Sequence, residues 1–410
     1  MKLTKISLAA LVALGAFSTV ASATPLEEAI KNVDFSGFAR HRYTTTKSGV
    51  DSNTKTSAGN EFKFIGTFKA VLDDNFFGVL GLTYKTIDNS GKTIDSSDGS
   101  VDKTKTEEPF KVREFYLGYK RGNTTITAGK QLIGTFFDDD LTGTGLRIVN
   151  SDIEGLTLAA VAFDALDKGS EVDILTPAIS IHHPAPTNLK DGLGNNLYGL
   201  AAMGSYNPIS FKLWWASLVD VANLYAFDAA AKFDMDAVKL GLQGQYVHSK
   251  VDSDLKPEFS NTNFYAVKAD IAAMGAKFNA GYINYKTKDN MKRGFVTIED
   301  NGKLINPARV LNGAMNGQYY HNITDENKFF FVGAGYDVDK LGFGLNYIGG
   351  KGYSYGLKKE DAKRKEINGQ ISYKYSKKLD FLAWYAAAKD SKDGVKFKYD
   401  RFRFQTVYKF

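Results

Sequence analysis

The sequence predicts an all-β chain of about eighteen antiparallel strands closed into a transmembrane barrel, and three observations predict it. First, the tail from Arg401 to Phe410 puts Phe402, Phe404, Tyr408 and Phe410 on one face and Arg401, Arg403, Gln405 and Lys409 on the other. Side chains alternate across a strand with a period of two, so one face is aromatic and one charged, as a wall between lipid and water requires. Second, clusters of turn-forming residues alternate with longer polar stretches along the whole chain. Third, beyond the amino-terminal leader no run reaches the ~18 apolar residues of a spanning helix. Alternation hides barrel hydrophobicity, so the mean hydropathy of -0.27 does not argue against membrane strands.

The leader comes first in order. Lys2 and Lys5 precede the mostly apolar stretch from Ile6 to Val20, and Ala21-Ser22-Ala23 fits the small-residue cleavage pattern of a secretory signal peptide. The expectation is a signal peptide over residues 1–23 and a single barrel domain over 24–410, beginning at Thr24. Removing the leader takes the formal net charge from +6 to +4, too mild to argue for nucleic acid. The chain has no cysteine, which excludes disulfides, thiolate metal sites and catalytic thiols.

Eight short turns follow, at Asp73-Asp74-Asn75, Lys120-Arg121-Gly122-Asn123, Ser151-Asp152, Asn207-Pro208, Asp234-Met235-Asp236, Ala273-Met274, Val338-Asp339-Lys340 and Ser376-Lys377-Lys378. Nine longer polar connections lie between them, at about 45–60, 88–109, 132–143, 166–196, 219–221, 250–260, 287–327, 350–364 and 390–396. Eight turns and nine loops imply eighteen strands with both ends on the short-turn side, the pattern of bacterial single-chain barrels with short periplasmic turns and long outer loops.

Individual strands carry the alternation. Phe62, Phe64, Phe68, Ala70 and Leu72 oppose Glu61, Lys63, Thr67 and Lys69. Leu341, Phe343, Leu345 and Tyr347 oppose Gly342, Gly344 and Asn346, and Ile367, Ile371, Tyr373 and Tyr375 oppose Glu366, Asn368, Gln370, Ser372 and Lys374. Residues 209–218, with Trp214 beside Trp215, break the pattern, and their facing is not readable. Tyr43, Tyr84, Tyr119, Tyr206, Tyr285, Tyr336 and Tyr375 sit near run ends, where interfacial girdles fall. The rival, a soluble β-sandwich core, needs no such number of long alternating strands. A barrel of sixteen to eighteen strands leaves an aqueous channel, whereas eight strands are filled by their own side chains.

Several segments resemble one family. Thr24-Pro25-Leu26-Glu27-Glu28-Ala29-Ile30-Lys31, Ala128-Gly129-Lys130-Gln131, Gly143-Thr144-Gly145 and Gly155-Leu156-Thr157-Leu158-Ala159-Ala160 are similar to the major outer membrane protein porin of Campylobacter-type bacteria. So are Asn196-Leu197-Tyr198-Gly199, Ile298-Glu299-Asp300 and the ending Tyr408-Lys409-Phe410. The resemblance implies an eighteen-stranded, homotrimeric general porin of the outer membrane, passing ions and small hydrophilic solutes, with its third loop folded into the lumen.

That third loop holds Asp138, Asp139 and Asp140, where the family places its constriction. Carboxylates facing a lumen with low-dielectric walls focus their field and favour cations. Arg40 and Arg42 alternate with Ala39, His41 and Tyr43, so both should face the lumen, and Arg147 should do likewise; Lys63 and Lys69 are weaker candidates. Acid on an inward loop against a basic wall makes a transverse field. For each arginine a purely structural ion pair is the competing reading. The resemblance also implies a calcium ion held by Asp139, Asp173 and Glu299, with Asp140 able to replace Asp139; hard cations favour several carboxylate oxygens.

Other features carry less. Asp51-Ser52-Asn53-Thr54-Lys55 lacks the glycine and glutamate of a calcium-binding EF-hand loop, and His182-His183 beside Pro184 reads as an exposed loop rather than a metal site. The mixed charges from Lys358 to Lys365 suit a solvated loop near outer-membrane lipid and lipopolysaccharide. A barrel hydrolase would need a base, and none of His41, His182, His183, His248 and His321 sits in a recognisable motif. A surface adhesin built on the loops at 166–196 and 287–327, and a substrate-selective channel, are the remaining alternatives.

Overall fold

The computed structural model describes residues 33–50, 53–91, 110–167, 196–257, 259–289, 292, 294–311, 326–352, 362–392 and 395–410. The expected leader, Asp173, His182, His183 and the first half of the Lys358 to Lys365 run lie outside the described residues.

Among the described residues eighteen strands run in chain order: β1 (Val33–Val50), β2 (Asn53–Val71), β3 (Phe76–Gly91), β4 (Lys111–Arg121), β5 (Thr124–Leu132), β6 (Thr142–Asn150), β7 (Leu156–Leu166), β8 (Leu197–Tyr206) and β9 (Ile209–Leu218). They continue as β10 (Ala222–Met235), β11 (Val238–Val251), β12 (Thr262–Ala273), β13 (Ala276–Thr287), β14 (Glu326–Val338), β15 (Leu341–Gly352), β16 (Ala362–Lys374), β17 (Leu379–Lys392) and β18 (Val395–Lys409). Every strand pairs antiparallel with its chain neighbours, and β18 pairs with β1 from Phe38 opposite Lys409 to Val50 opposite Phe397. Closure leaves no unpaired edge, which a bilayer demands because it offers no water to exposed backbone groups.

All eight expected turns fall at junctions between consecutive strands, four of them overlapping the end of the preceding strand. The expected first loop at 45–60 lies mostly within strands: β1 runs to Val50 and β2 starts at Asn53, in register from Val50 opposite Asn53. Threonine and serine dominate this hairpin, so it carries strand propensity without the apolar face that marks membrane residues. The second loop is likewise shortened by β3, which extends to Gly91.

Facing follows the alternation. Phe62, Phe68, Ile367, Ile371, Phe343, Leu345, Phe402 and Phe404 are exposed on the outer wall, while Lys63, Glu366 and Asn368 are buried inside. In β9 the structure resolves what the sequence left open: Trp214, Ala216 and Leu218 point inward and Leu213 outward. Both faces of this strand are apolar because its inner face meets a core, so no alternation is legible. For the same reason Tyr285, expected in a girdle, is fully buried inside the barrel.

That core sets the shape of the lumen. Phe163 of β7, Leu197 of β8, Leu224 of β10, Phe264 of β12 and Phe331 of β14 form one apolar cluster with residues of two inward loops. Strands β1 to β5 contribute no residue to it among the described residues. The barrel is therefore packed along one side and polar along the other.

Candidate pore constriction

The third outer loop, L3 (residues 133–141), closes on itself where the Ile133 amide donates to the Leu141 carbonyl at 3.0 Å. Ile133, Phe136, Phe137 and Leu141 are buried in the core, so hydrophobic burial holds L3 inside the barrel. The three aspartates then part company. The Asp138 carboxylate turns back and accepts from the Thr135 amide at 2.8 Å and from its hydroxyl. Burial pushes the Asp138 carboxyl up to about 6, and the bonds from Thr135 oppose that rise. Asp138 is 1% exposed, so it is an internal brace of L3 rather than a lumen charge. The Asp139 side chain is 62% exposed and pairs with Lys303 at 3.2 Å. Asp140 reaches Lys63 at 3.7 Å and Arg113 at 3.5 Å.

A second inward segment, which sequence reasoning missed, belongs to the seventh outer loop, L7 (residues 288–325), described as far as 311 except for 290, 291 and 293. Phe295, Val296, Ile298, Leu304, Ile305 and Leu311 are buried in the same core. The Ile298 amide donates to the Phe137 carbonyl at 2.8 Å and the Lys303 amide to the Phe136 carbonyl at 2.9 Å, joining L7 to L3. Gly302 makes this approach possible: its φ of +51° is left-handed, and a Cβ there would lie 2.6 Å from the Phe136 carbonyl oxygen. The wall holds L7 as well. Gln245 donates to the Lys303 carbonyl at 2.9 Å and accepts from the Ile305 amide at 2.7 Å. Glu366 accepts from the amides of Arg309, Val310 and Leu311 at 2.6, 3.0 and 2.7 Å. The apolar pairs Phe295-Val296, Leu304-Ile305 and Val310-Leu311 inside a polar loop are the signal that could have revealed this burial.

The polar side of the lumen is basic. Arg40 of β1, Lys63 of β2 and Lys85 of β3 stand directly opposite one another in adjacent strands. Glu61 holds them together, accepting from Arg40 at 2.7 Å and lying 3.5 Å from both Arg42 and Lys85. Arg42 also donates to Gln405, and Arg403 donates to Thr44 and lies over Trp384, its guanidinium 5.2 Å from the ring centroid. Arg40 and Arg42 thus sit together on this wall. Arg147 stands apart from them on β6, opposite the buried Thr127, with one terminal nitrogen 3.2 Å from where a Cβ on Gly134 would be, beside the start of L3. Glu61, Lys85, Arg113 and Lys303 complete the constellation and were not singled out from sequence.

Glu299 meets the backbone of Asp139, whose carboxylate is paired with Lys303. One Glu299 oxygen, Oε2, accepts from the amides of Asp139 at 2.8 Å and Asp140 at 3.1 Å. Burial pushes the Glu299 carboxyl up to about 7, the charges of Asp300 and Asp140 add to this, and the two amides oppose it. Among the described residues no group of three or more His, Asp or Glu side chains is arranged to hold a metal, and Asp173 lies outside them.

An eighteen-stranded barrel with an apolar outer wall and a charged lumen narrowed by inward loops is an outer-membrane channel, a porin and not an enzyme. Over residues 1–410 the chain matches the Campylobacter major outer membrane protein family, and it belongs to that family. Solved structures agree on the fold. Pseudomonas aeruginosa OccK9 (OpdG) superposes with a TM-score of 0.69 at 14% identity, covering 93% of this chain and 100% of that one. P. aeruginosa OccK5 (OpdH) gives 0.67 at 10% identity, covering 92% and 98%, and Acinetobacter baumannii OccAB2 gives 0.65 at 16%, covering 92% and 98%. No curated protein sequence matches the chain.

Proposed function

We propose that this porin is a general diffusion channel, passing ions and small hydrophilic solutes passively between the L3 and L7 loops and the basic wall of β1 to β4 and β18. The observation that carries the reading is the one-sided filling of the lumen: the core and both loops gather against β7 to β17, and the charged side chains line the other side. Assembly as a homotrimer, export by a cleaved leader and contact with lipopolysaccharide rest on family membership and the sequence. Single-channel recording of purified protein, beside a native gel, tests the whole: ion current closing in three equal steps is expected, and absence of current would remove the channel.

A cation preference in this reading rests on Asp139 and Asp140, because Asp138 is withdrawn from the lumen. Asp139→Asn combined with Asp140→Asn is expected to lower the cation-to-anion permeability ratio at least about fivefold, since a single unit charge 4 Å from a permeating ion contributes about 1 kcal/mol in water-like surroundings. Reversal potentials in a salt gradient measure it, and unaltered values would assign selectivity elsewhere.

Calcium at Asp139 and Glu299 is also part of the proposal. The donor chemistry supports it: Glu299 Oε1 makes no hydrogen bond to a described residue, and the carboxyl is raised by burial and by neighbouring acids, which a divalent cation would offset. Lys303 holds Asp139 and would have to give way. If the folded barrel binds calcium at a hundredfold excess over its dissociation constant, chelation should remove about 2.7 kcal/mol of stability. Identical melting curves in chelator and in excess calcium would end this part of the proposal.

A further inference from the structure

A chamber of about 450 Å³ lies between residues 303–309 of L7 and the inner faces of β11 to β16. Its charges are nearly balanced internally. Lys268 pairs with Asp270 at 3.1 Å, and Lys303 pairs with Asp139 at 3.2 Å. Arg309 is the exception. Its guanidinium donates to the Gln370 side chain and lies 5.5 Å from the Trp384 ring centroid, and no described carboxylate stands within ion-pair distance of it. The nearby Glu366 carboxylate is taken up by the three amides of 309–311 and by Asn368. Burial lowers the Arg309 pKa below its ordinary value, and the charge of Glu366 opposes that fall. A guanidinium carries five N–H donors in a planar fork suited to a carboxylate, and one is engaged here.

The uncharged polar part of the lining is amide: Gln243, Asn279, Asn306, Asn346 and Gln370. Asn279 and Asn346 lean toward each other across Gly333, where a Cβ would lie 2.3 Å from Asn346 Oδ1 and 2.6 Å from Asn279 Nδ2. Primary amides both donate and accept, so this wall matches hydroxyl or amide groups rather than a second charge. The volume falls within the range of small-molecule sites. We propose that the chamber is a binding subsite for a small hydrophilic monocarboxylate, its carboxylate on Arg309 and its hydroxyl or amide groups on Asn279, Asn346 and Gln370. The subsite rests on the diffusion reading, because solute must enter the lumen to reach it, and it makes the channel more than a sieve: such solutes pause inside.

Gluconate and glucose, similar in size and differing in the carboxylate, separate the chemistry in single-channel recordings. Gluconate is expected to interrupt the open-channel current in a concentration-dependent way at concentrations where glucose does not. Arg309→Gln keeps the backbone amide that docks on Glu366 and should shorten gluconate residence about tenfold or more, the loss of one charge-assisted contact. Should that change displace L7, read as a raised open conductance, Gly333→Ala decides: it forces Asn279 and Asn346 apart with Arg309 intact, and gluconate residence should again fall. Equal interruption by both solutes, or unchanged gluconate residence in the deciding variant, overturns the subsite and leaves the diffusion channel standing. A protein that carries no current overturns both.

Discussion

Replacing Glu366 with alanine is expected to raise single-channel conductance and lower thermal stability in the same molecule. Glu366 has no exposed surface, and its two oxygens accept from three consecutive L7 amides and from the Asn368 side chain at 2.8 Å. Alanine leaves those amides buried without acceptors, each at a cost of about 1–3 kcal/mol unless the segment moves to water. Moving is the cheaper response, so L7 should lift from the wall with a net loss of about 3–5 kcal/mol. The barrel should persist, because residue 366 keeps its ladder places opposite Ile348 and Ala388. Glu366→Gln, which retains one acceptor oxygen, should fall between. A melt and a conductance both equal to the parent's would show that L7 is held by its apolar residues alone.

The second large effect is expected at Glu61. This carboxylate contacts Arg40, Arg42 and Lys85, and Lys63 stands in the ladder between two of them. Like charges directly opposite in adjacent strands repel, and one acid offsets most of that repulsion. Glu61→Gln should shift the reversal potential toward anions and lower stability by about 3 kcal/mol, the low end for breaking a buried pair because lumen water screens the site. Both changes should shrink as ionic strength rises. A selectivity shift that survives molar salt would point to a steric cause and sink the electrostatic account.

How much of this was legible depends on what each residue faces. Strands between lipid and water, such as Glu61 to Leu72, carry alternation that cannot be mistaken, and they gave away the barrel. β9 was opaque because its inner face meets a core, and the β1–β2 hairpin was opaque because its far end is polar on both faces. Within L3 the sequence presents three identical acids. Only the turn that aims Asp138 at Thr135 three residues earlier separates a brace from two lumen charges. That spacing of threonine and aspartate was a readable hint. Glu366 was readable as inward-facing, but its partner lies 57 residues away in a loop without periodicity. Such docking is set by tertiary contact and leaves no local pattern.

The seam between β1 and β18 bears on how the molecule comes into being. Arg42 and Gln405, hydrogen-bonded across it, are separated by 363 positions, and the Phe410 amide reaches the Gly37 carbonyl at 3.2 Å while its ring stacks on Phe35 at 4.7 Å. Every other strand pair is a hairpin between chain neighbours. Chain entropy therefore makes this contact the slowest to find, so the barrel should zip from many local nuclei and lock last at one line. Until that line shuts, two long edges with aromatic flanks are open to any strand that arrives, from the same chain or another. The stacked rings of Phe35 and Phe410 should then act as a latch that favours the correct arrival over others.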